Sequence, residues 1–227
     1  MSPLRTTGLV TPWLLLAALS MLVPRTALAG AQQYQPLAAS VQAALHDSVA
    51  DRASPRLVFP TQEEGNRWLA SMSRRLAPRI PDEKTRNDFL TTVQYEASRA
   101  GLDPQLVLGV VEVESKFRKY AVSNAGARGY MQVMPFWAQL IGNGEHNLFN
   151  LRTNLRYGCV ILRHYLDVER GDLYRALARY NGSPGTNTSY AARVVKAWQQ
   201  RWALTSEGIT PVRAETPAPL RYMGEAR

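Results

Sequence analysis

Between Thr61 and Trp202 the chain reads as a succession of helices, each opened and closed by its own punctuation, and this is what most limits how it can fold. Thr61-x-x-Glu64 is a capping box ahead of an apolar face at Trp68, Leu69, Met72 and Leu76, and Pro78 and Pro81 close that helix. Asp82 caps a second stretch in which Phe89, Val93 and Ala97 recur at i, i+4 and i+8, and Gly101 stops it. Asp103-Pro104 combines an N-cap with proline at the first helical position. The helix it opens, to about Phe117, is apolar on nearly every side and belongs at the centre of a domain. After a small-residue loop, Ala121 to Gly129, the pattern predicts a short helix around Met131 to Ile141. A longer helix follows behind Asn150, with Leu155, Cys159, Leu162 and Leu166 on one face. Next comes a helix behind Gly171-Asp172, then the loop Asn181-Gly182-Ser183-Pro184-Gly185, and a last helix carries Val194, Val195, Trp198 and Trp202. No stretch alternates with period two for long enough to make a sheet. The expected fold is mainly α, with at most a minor β element.

Outside this core the chain divides as follows. Residues 1–29 read as a secretory signal peptide: Arg5, an apolar run from Leu9 to Val23, and Ala27-Leu28-Ala29 as the cleavage site. The run is shorter than the ~20 residues of a spanning helix, so no stable membrane anchor is expected after cleavage. Residues 30–60 form an N-terminal extension, partly helical at Leu37, Val41 and Leu45, or disordered. Residues 61–204 form the domain proper, and 205–227, with Pro211, Pro217 and Pro219, a flexible tail.

The formal charge of +9 favours an anionic partner, but the arginines are spread along the chain, the pattern of a solvated surface rather than of a nucleic-acid stripe. Phosphate-loop, dinucleotide and nucleophile-elbow motifs are absent. One cysteine and three scattered histidines offer no intramolecular disulfide, no Cys-based zinc cluster and no helical metal pair of the HExxH kind.

One residue breaks the pattern. In the central helix Val107, Val110, Val111 and Glu114 share a face, which places a carboxyl among valines. Burial raises a carboxyl's pKa, and a glutamic acid still protonated near neutrality can act as a general acid. Glu112, rotated by about 200°, is expected to form an exposed ion pair with Lys116. Glu114 has a plain alternative too: Arg118, four residues on, can pair with it in solvent.

The stretches Glu114-Ser115-x-Phe117, Ala121-Val122-Ser123, Gly126-Ala127-x-Gly129-Tyr130-Met131-Gln132-Val133-Met134-Pro135 and Ala178-Arg179-Tyr180-Asn181-Gly182 resemble, in order and spacing, the catalytic domain of soluble lytic murein transglycosylases. The similarity covers roughly Phe89 to Trp202. It implies a lysozyme-like helical domain of the goose-type lysozyme and transglycosylase architecture. It also implies cleavage of the β-1,4 bond between N-acetylmuramic acid and N-acetylglucosamine, a 1,6-anhydro product, no metal or cofactor, and peptidoglycan glycan strands as partner. Carried over residue by residue, Glu114 matches the catalytic acid and base, and Ser123, Gln132, Tyr180 and Asn181 match groups that line the glycan groove. Tyr130 stands where leucine is usual, and Arg179 and Ser183 depart from the commoner Ala-Tyr-Asn-Ala-Gly. Taken alone, Ser123 can equally be a turn residue, Gln132 a cap and Tyr180 core. With export, the resemblance points to the periplasm. A hydrolytic goose-type muramidase and a non-catalytic wall-binding protein are the alternative functions.

Overall fold

The computed structural model describes residues 32–50, 53–183 and 188–204. The expected signal peptide, the tail from 205 and part of the loop after Ser183 lie outside the described residues. Among the described residues eight α-helices run α1 Ala39–Val49, α2 Gln62–Leu76, α3 Glu83–Arg99, α4 Pro104–Ser115, α5 Pro135–Ile141, α6 Leu151–Val168, α7 Leu173–Tyr180 and α8 Ser189–Ala197, and a π-helical turn, Trp198–Trp202, extends α8. The β content of the described residues is two isolated bridges, Val122 with Arg128 and Arg128 with Val133. None of the described helices is long and apolar enough to cross a membrane.

The caps work as their residue types dictate. Side-chain oxygens of Thr61, Asp82, Asp103, Asn150 and Asp172 each accept a hydrogen bond from a backbone N–H two or three residues on, at 2.6–3.2 Å. Each satisfies one donor that the first helical turn leaves without an intrahelical partner.

Helix α4 is the central element, packed against α3, α8 and the π turn. Leu106, Val107, Leu108, Val110 and Val111 are all buried, so its all-round apolarity is used on every side. Its contact with α8 depends on Gly109: a Cβ there would sit 3.1 Å from the Trp198 nitrogen and 3.1 Å from the Val194 carbonyl oxygen. These are backbone atoms with little room to give. Helix α6 packs on α3, α7 and α1, and α7 joins the two groups through α8.

The core does not stop at Thr61. Leu45 and Val49 of α1 belong to the same buried cluster as Val107, Met131 and Leu155. At the C-terminal end of α1, Arg99 donates to the Ser48 carbonyl and Arg156 to the Val49 carbonyl, cations at the negative end of a helix.

Two helix boundaries differ from the periodic pattern. The central helix stops at Ser115 rather than near Phe117, because Lys116 (φ 52°) and Phe117 (φ 63°) are both left-handed. This turns Phe117 inward, where its ring meets those of Phe89 and Trp202 at centroid distances of 5.9 and 5.3 Å. The helix expected from Met131 begins only at Pro135, since a residue preceding proline is pushed out of the helical region and Met134 is extended at ψ 138°.

Candidate active site

The last turn of α4 carries Glu114 beyond Val107, Val110 and Val111, each fully buried. Glu114 itself is partly buried. One of its carboxylate oxygens, Oε1, accepts a hydrogen bond from the Tyr190 hydroxyl at 2.6 Å. Burial raises the Glu114 carboxyl from 4.5 to about 7, while the Tyr190 hydrogen bond and the more distant charge of Arg193 pull the other way. Among the described residues no ion pair within 4.0 Å neutralises Glu114. The Arg118 pairing open to it in sequence does not form: the left-handed residues at 116 and 117 end the helical geometry that an i, i+4 pair needs. Arg118 donates instead to the Ser115 carbonyl at 3.1 Å.

Glu112 departs from its expected role. Its side chain is only 11% exposed and it does not pair with Lys116. It accepts from Arg201 Nε and from Trp202 Nε1, both at 2.8 Å, and Arg79 approaches to 3.7 Å. The π turn swings Arg201 and Trp202 under α4, and partners 89 and 90 residues away have no signature within the helix itself. Glu112 is thus turned away from Glu114 and fully engaged in fastening the turn.

The loop after α4 is closed on itself. Gly129 N–H donates to the Ala121 carbonyl, and Arg128 and Val133 exchange two backbone bonds of 2.9 and 3.0 Å. Gln132, left-handed at φ 50°, donates its side-chain amide to the Ala121 and Gly129 carbonyls at 3.1 and 2.9 Å. Asn154 of α6, wholly buried, fastens the other side: its oxygen accepts from Met131 N–H, and its nitrogen donates to the Arg128 and Leu148 carbonyls, each at 2.8 Å. Gly129 is required there, since a Cβ at its φ of 76° would lie 2.4 Å from the Asn154 nitrogen. Ser123 Oγ accepts from Ala127 N–H at 3.1 Å, an intraloop turn bond.

Helix α7 brings up Tyr180, 1% exposed, whose hydroxyl donates to the Met131 carbonyl at 2.7 Å. Burial, and after it the nearby Glu114 charge, push the Tyr180 hydroxyl well above its usual range, and burial does the same to Tyr190. Asn181 follows at the C-terminal end of α7, buried, with its side-chain amide on Ser183 Oγ at 2.9 Å.

Of the residues singled out in sequence, Glu114 and Tyr180 therefore lie within electrostatic reach of each other. Ser123 and Gln132 spend hydrogen bonds on the shape of the loop, and Asn181 on the turn that follows Tyr180. Tyr190 and Asn154 escaped the sequence reading. Tyr190 extends the α8 stripe by one turn, four residues before Val194, so the available signal was a stripe residue with a polar tip. Asn154 was a lone amide beside Leu155 on an apolar helix.

These features define a mainly α domain with a buried carboxyl at the end of its central helix. Residues 91–202 match the family described as Transglycosylase SLT domain. Over that stretch the chain is similar to SLT-type transglycosylase domains. It is similar to the transglycosylase of Enterobacteria phage PRD1, 33% identical over 134 residues that cover 56% of this chain and 49% of that protein. It is also similar to membrane-bound lytic murein transglycosylase C of Actinobacillus pleuropneumoniae serotype 5b, 53% identical over 47 residues, 21% of this chain and 13% of the relative. The chain spans about half the length of the phage relative and much less of the other. Among solved structures it is similar to an inactive mutant of the lytic transglycosylase Slt from Pseudomonas aeruginosa, at TM-score 0.38 and 21% identity over 60% of this chain and 26% of that one.

Proposed function

We propose that this protein is a peptidoglycan lytic transglycosylase acting in the periplasm after removal of residues 1–29. It cuts the β-1,4 bond between N-acetylmuramic acid and N-acetylglucosamine and leaves a 1,6-anhydromuramoyl end. The observation that carries the reading is Glu114: a carboxyl raised to about 7 by burial, with a tyrosine hydroxyl as its hydrogen-bond donor and no ion-pair partner among the described residues.

Such a group serves twice. Neutral Glu114 gives its proton to the glycosidic oxygen, and the N-acetylglucosamine side departs with a free 4-hydroxyl. The N-acetyl carbonyl of the muramic acid stabilises the cationic centre left at C1. Glu114, now ionised and held by the Tyr190 hydrogen bond, removes the proton of the sugar's C6 hydroxyl, and that oxygen closes on C1. The acid is regenerated and no water is consumed. Most glycosidases use a second carboxylate as nucleophile or base, but the other carboxylate on α4, Glu112, is bound to Arg201 and Trp202. The scheme uses no metal or cofactor, and the proposed partner is a glycan strand rather than a nucleic acid. Ser123, Gln132, Tyr180 and Asn181 are proposed to line the groove, the first two through the loop whose shape they set.

The test is to digest purified peptidoglycan and identify the released ends. Anhydromuramoyl ends are expected, and Glu114→Gln is expected to lower the rate roughly 10^3-fold or more. Reducing ends would point to the hydrolytic alternative, and an active Glu114→Gln chain would remove the acid from the scheme.

A further inference from the structure

Residues 32–38 run without helical structure ahead of α1. The first three of them are anchored to the Met131–Met134 turn, the turn after α7 and the start of α5. Gln32 Oε1 accepts from Met134 N–H at 3.3 Å, across 102 residues of sequence. Gln33 Nε2 donates to the Gly182 carbonyl at 3.0 Å. The Tyr34 ring packs edge-on against Phe136 at 5.7 Å. One arm therefore ties the Met131–Met134 turn to the turn after α7, and these two turns belong to the blocks whose resemblance assigns them to the groove. Gln32 is 4% exposed, and its side chain faces the Tyr180 hydroxyl, which in turn feels Glu114.

The arm is seated incompletely. Gln32 Nε2 is buried and makes no well-formed hydrogen bond among the described residues: the group it faces is the Tyr180 hydroxyl, which already donates to the Met131 carbonyl. Tyr34 is 61% exposed despite its contact with Phe136. Beneath Gln33 and Gln35, against Tyr165, Arg179 and Gly182, a gap of about 10 Å³ remains, roughly the space of one water. An arm that belonged permanently to the wall would be packed as α1 is, where Leu45 and Val49 are 0% and 3% exposed.

The chemistry of the occupant matters as well. Gln32 presents a carboxamide carbonyl to a main-chain N–H, and a glycan of N-acetyl sugars carries the same amide carbonyl on every residue. We propose that residues 32–34 are an intramolecular plug that competes with the glycan for this groove, Gln32 standing in for an acetamido group, so that the arm must lift before a strand can bind. The inference rests on the groove assignment made under the proposed function.

Binding of the N-acetylglucosamine tetramer tests it without turnover. In a Glu114→Gln background, affinity is compared between the full chain and the same chain with Gln32→Ala, Gln33→Ala and Tyr34→Ala together. The expected result is a gain of about fivefold or more in the arm variant. In the chain with its arm intact, the tetramer should slow amide hydrogen exchange over residues 129–134. Unchanged or weaker affinity in the arm variant would overturn the plug, as would a tetramer that binds neither chain. Gln32→Ala alone gives the same reading if the triple variant folds poorly. With Glu114 intact, failure of both chains to release anhydromuropeptides would defeat the lytic reading, and tetramer affinity would still decide the fate of the plug by itself.

Discussion

The seam between α3 and α6 and the seam between α4 and α8 each enclose a glutamate, and the two solve the burial in opposite ways. Glu96, 1% exposed, is surrounded by guanidinium groups: Arg99 at 3.2 Å, Arg152 at 3.0 Å and Arg156 at 3.0 Å. Those arginines also hold carbonyls of Ser48, Ala53 and Val49, so one carboxylate organises the docking of α1 and of the segment that follows it. Glu114, less deeply enclosed, has a neutral tyrosine hydroxyl 2.6 Å away. A charge in the first place is compensated and structural. In the second place it is left without an ion-pair partner among the described residues, and the carboxyl keeps its proton to about pH 7, the state that the proposed acid role requires. Residue type and burial alone do not separate the two. The supply of cationic partners does.

The largest expected effect follows from making the same replacement at both sites. Glu96→Gln removes the charge that three arginines share, and breaking a buried ionic network typically costs about 3–5 kcal/mol. Urea unfolding should show that loss, while the lytic rate per folded molecule stays close to that of the parent. If Glu96→Gln were as stable as the parent, the network would be a surface-like ornament and the contrast would fail.

Glu114→Gln should act on stability in a pH-dependent way. The folded value of about 7 lies above the ordinary 4.5. The stabilisation that comes with the neutral carboxyl is therefore complete below pH 4.5 and is lost as pH rises through 7. Relative to Glu114→Gln, the parent should lose at most about 3 kcal/mol between pH 4.5 and pH 8, with other titrating groups cancelling in the difference. Unfolding curves of the two chains at several pH values check this. A gap that does not change with pH would mean that Glu114 titrates as if in water.

Much of this contrast could be read before the fold was known, and the unreadable part has a common physical cause. The caps at Thr61, Asp82, Asp103, Asn150 and Asp172 are local chemistry, and so is the valine face that puts Glu114 in an apolar setting. What escaped is long-range. Glu112 looks like the exposed half of a pair with Lys116 until the π turn brings Arg201 and Trp202 beneath it. Tyr190 lies 76 residues from the carboxylate it serves, and nothing in the α8 stripe says which element its hydroxyl will meet. The left-handed pair Lys116-Phe117 carries no glycine to announce it, since the core contacts of Phe117 hold it in place.

The α4–α8 seam can also be loosened without touching either of its polar groups. Gly109→Ala adds a methyl that would meet backbone atoms of Val194 and Trp198 at 3.1 Å, so α8 has to move out. Overpacking of this kind costs about 1–3 kcal/mol, and here it also lengthens the Tyr190–Glu114 hydrogen bond. Thermal unfolding should register the first effect and the lytic rate the second. At the α3–α6 seam, a change of helix spacing should leave the rate per folded molecule alone.

The smallest and most specific change is Tyr190→Phe, which removes one oxygen and leaves the ring among Ala191, Val194 and their neighbours. The hydroxyl donates to the carboxylate and so favours its ionised form. Without it the Glu114 carboxyl should hold its proton to a pH above 7, and the alkaline limb of kcat/KM should move up by about one pH unit, the equivalent of about 1.4 kcal/mol. The same loss weakens the ionised state that must exist between the two proton transfers, so kcat should fall about tenfold even where the acid form is fully populated. A purely structural tyrosine would lower stability and leave the pH limb where it was. A limb that moved to lower pH would mean that the hydroxyl favours the neutral acid, and the assignment of Tyr190 as the stabiliser of ionised Glu114 would have to be reversed.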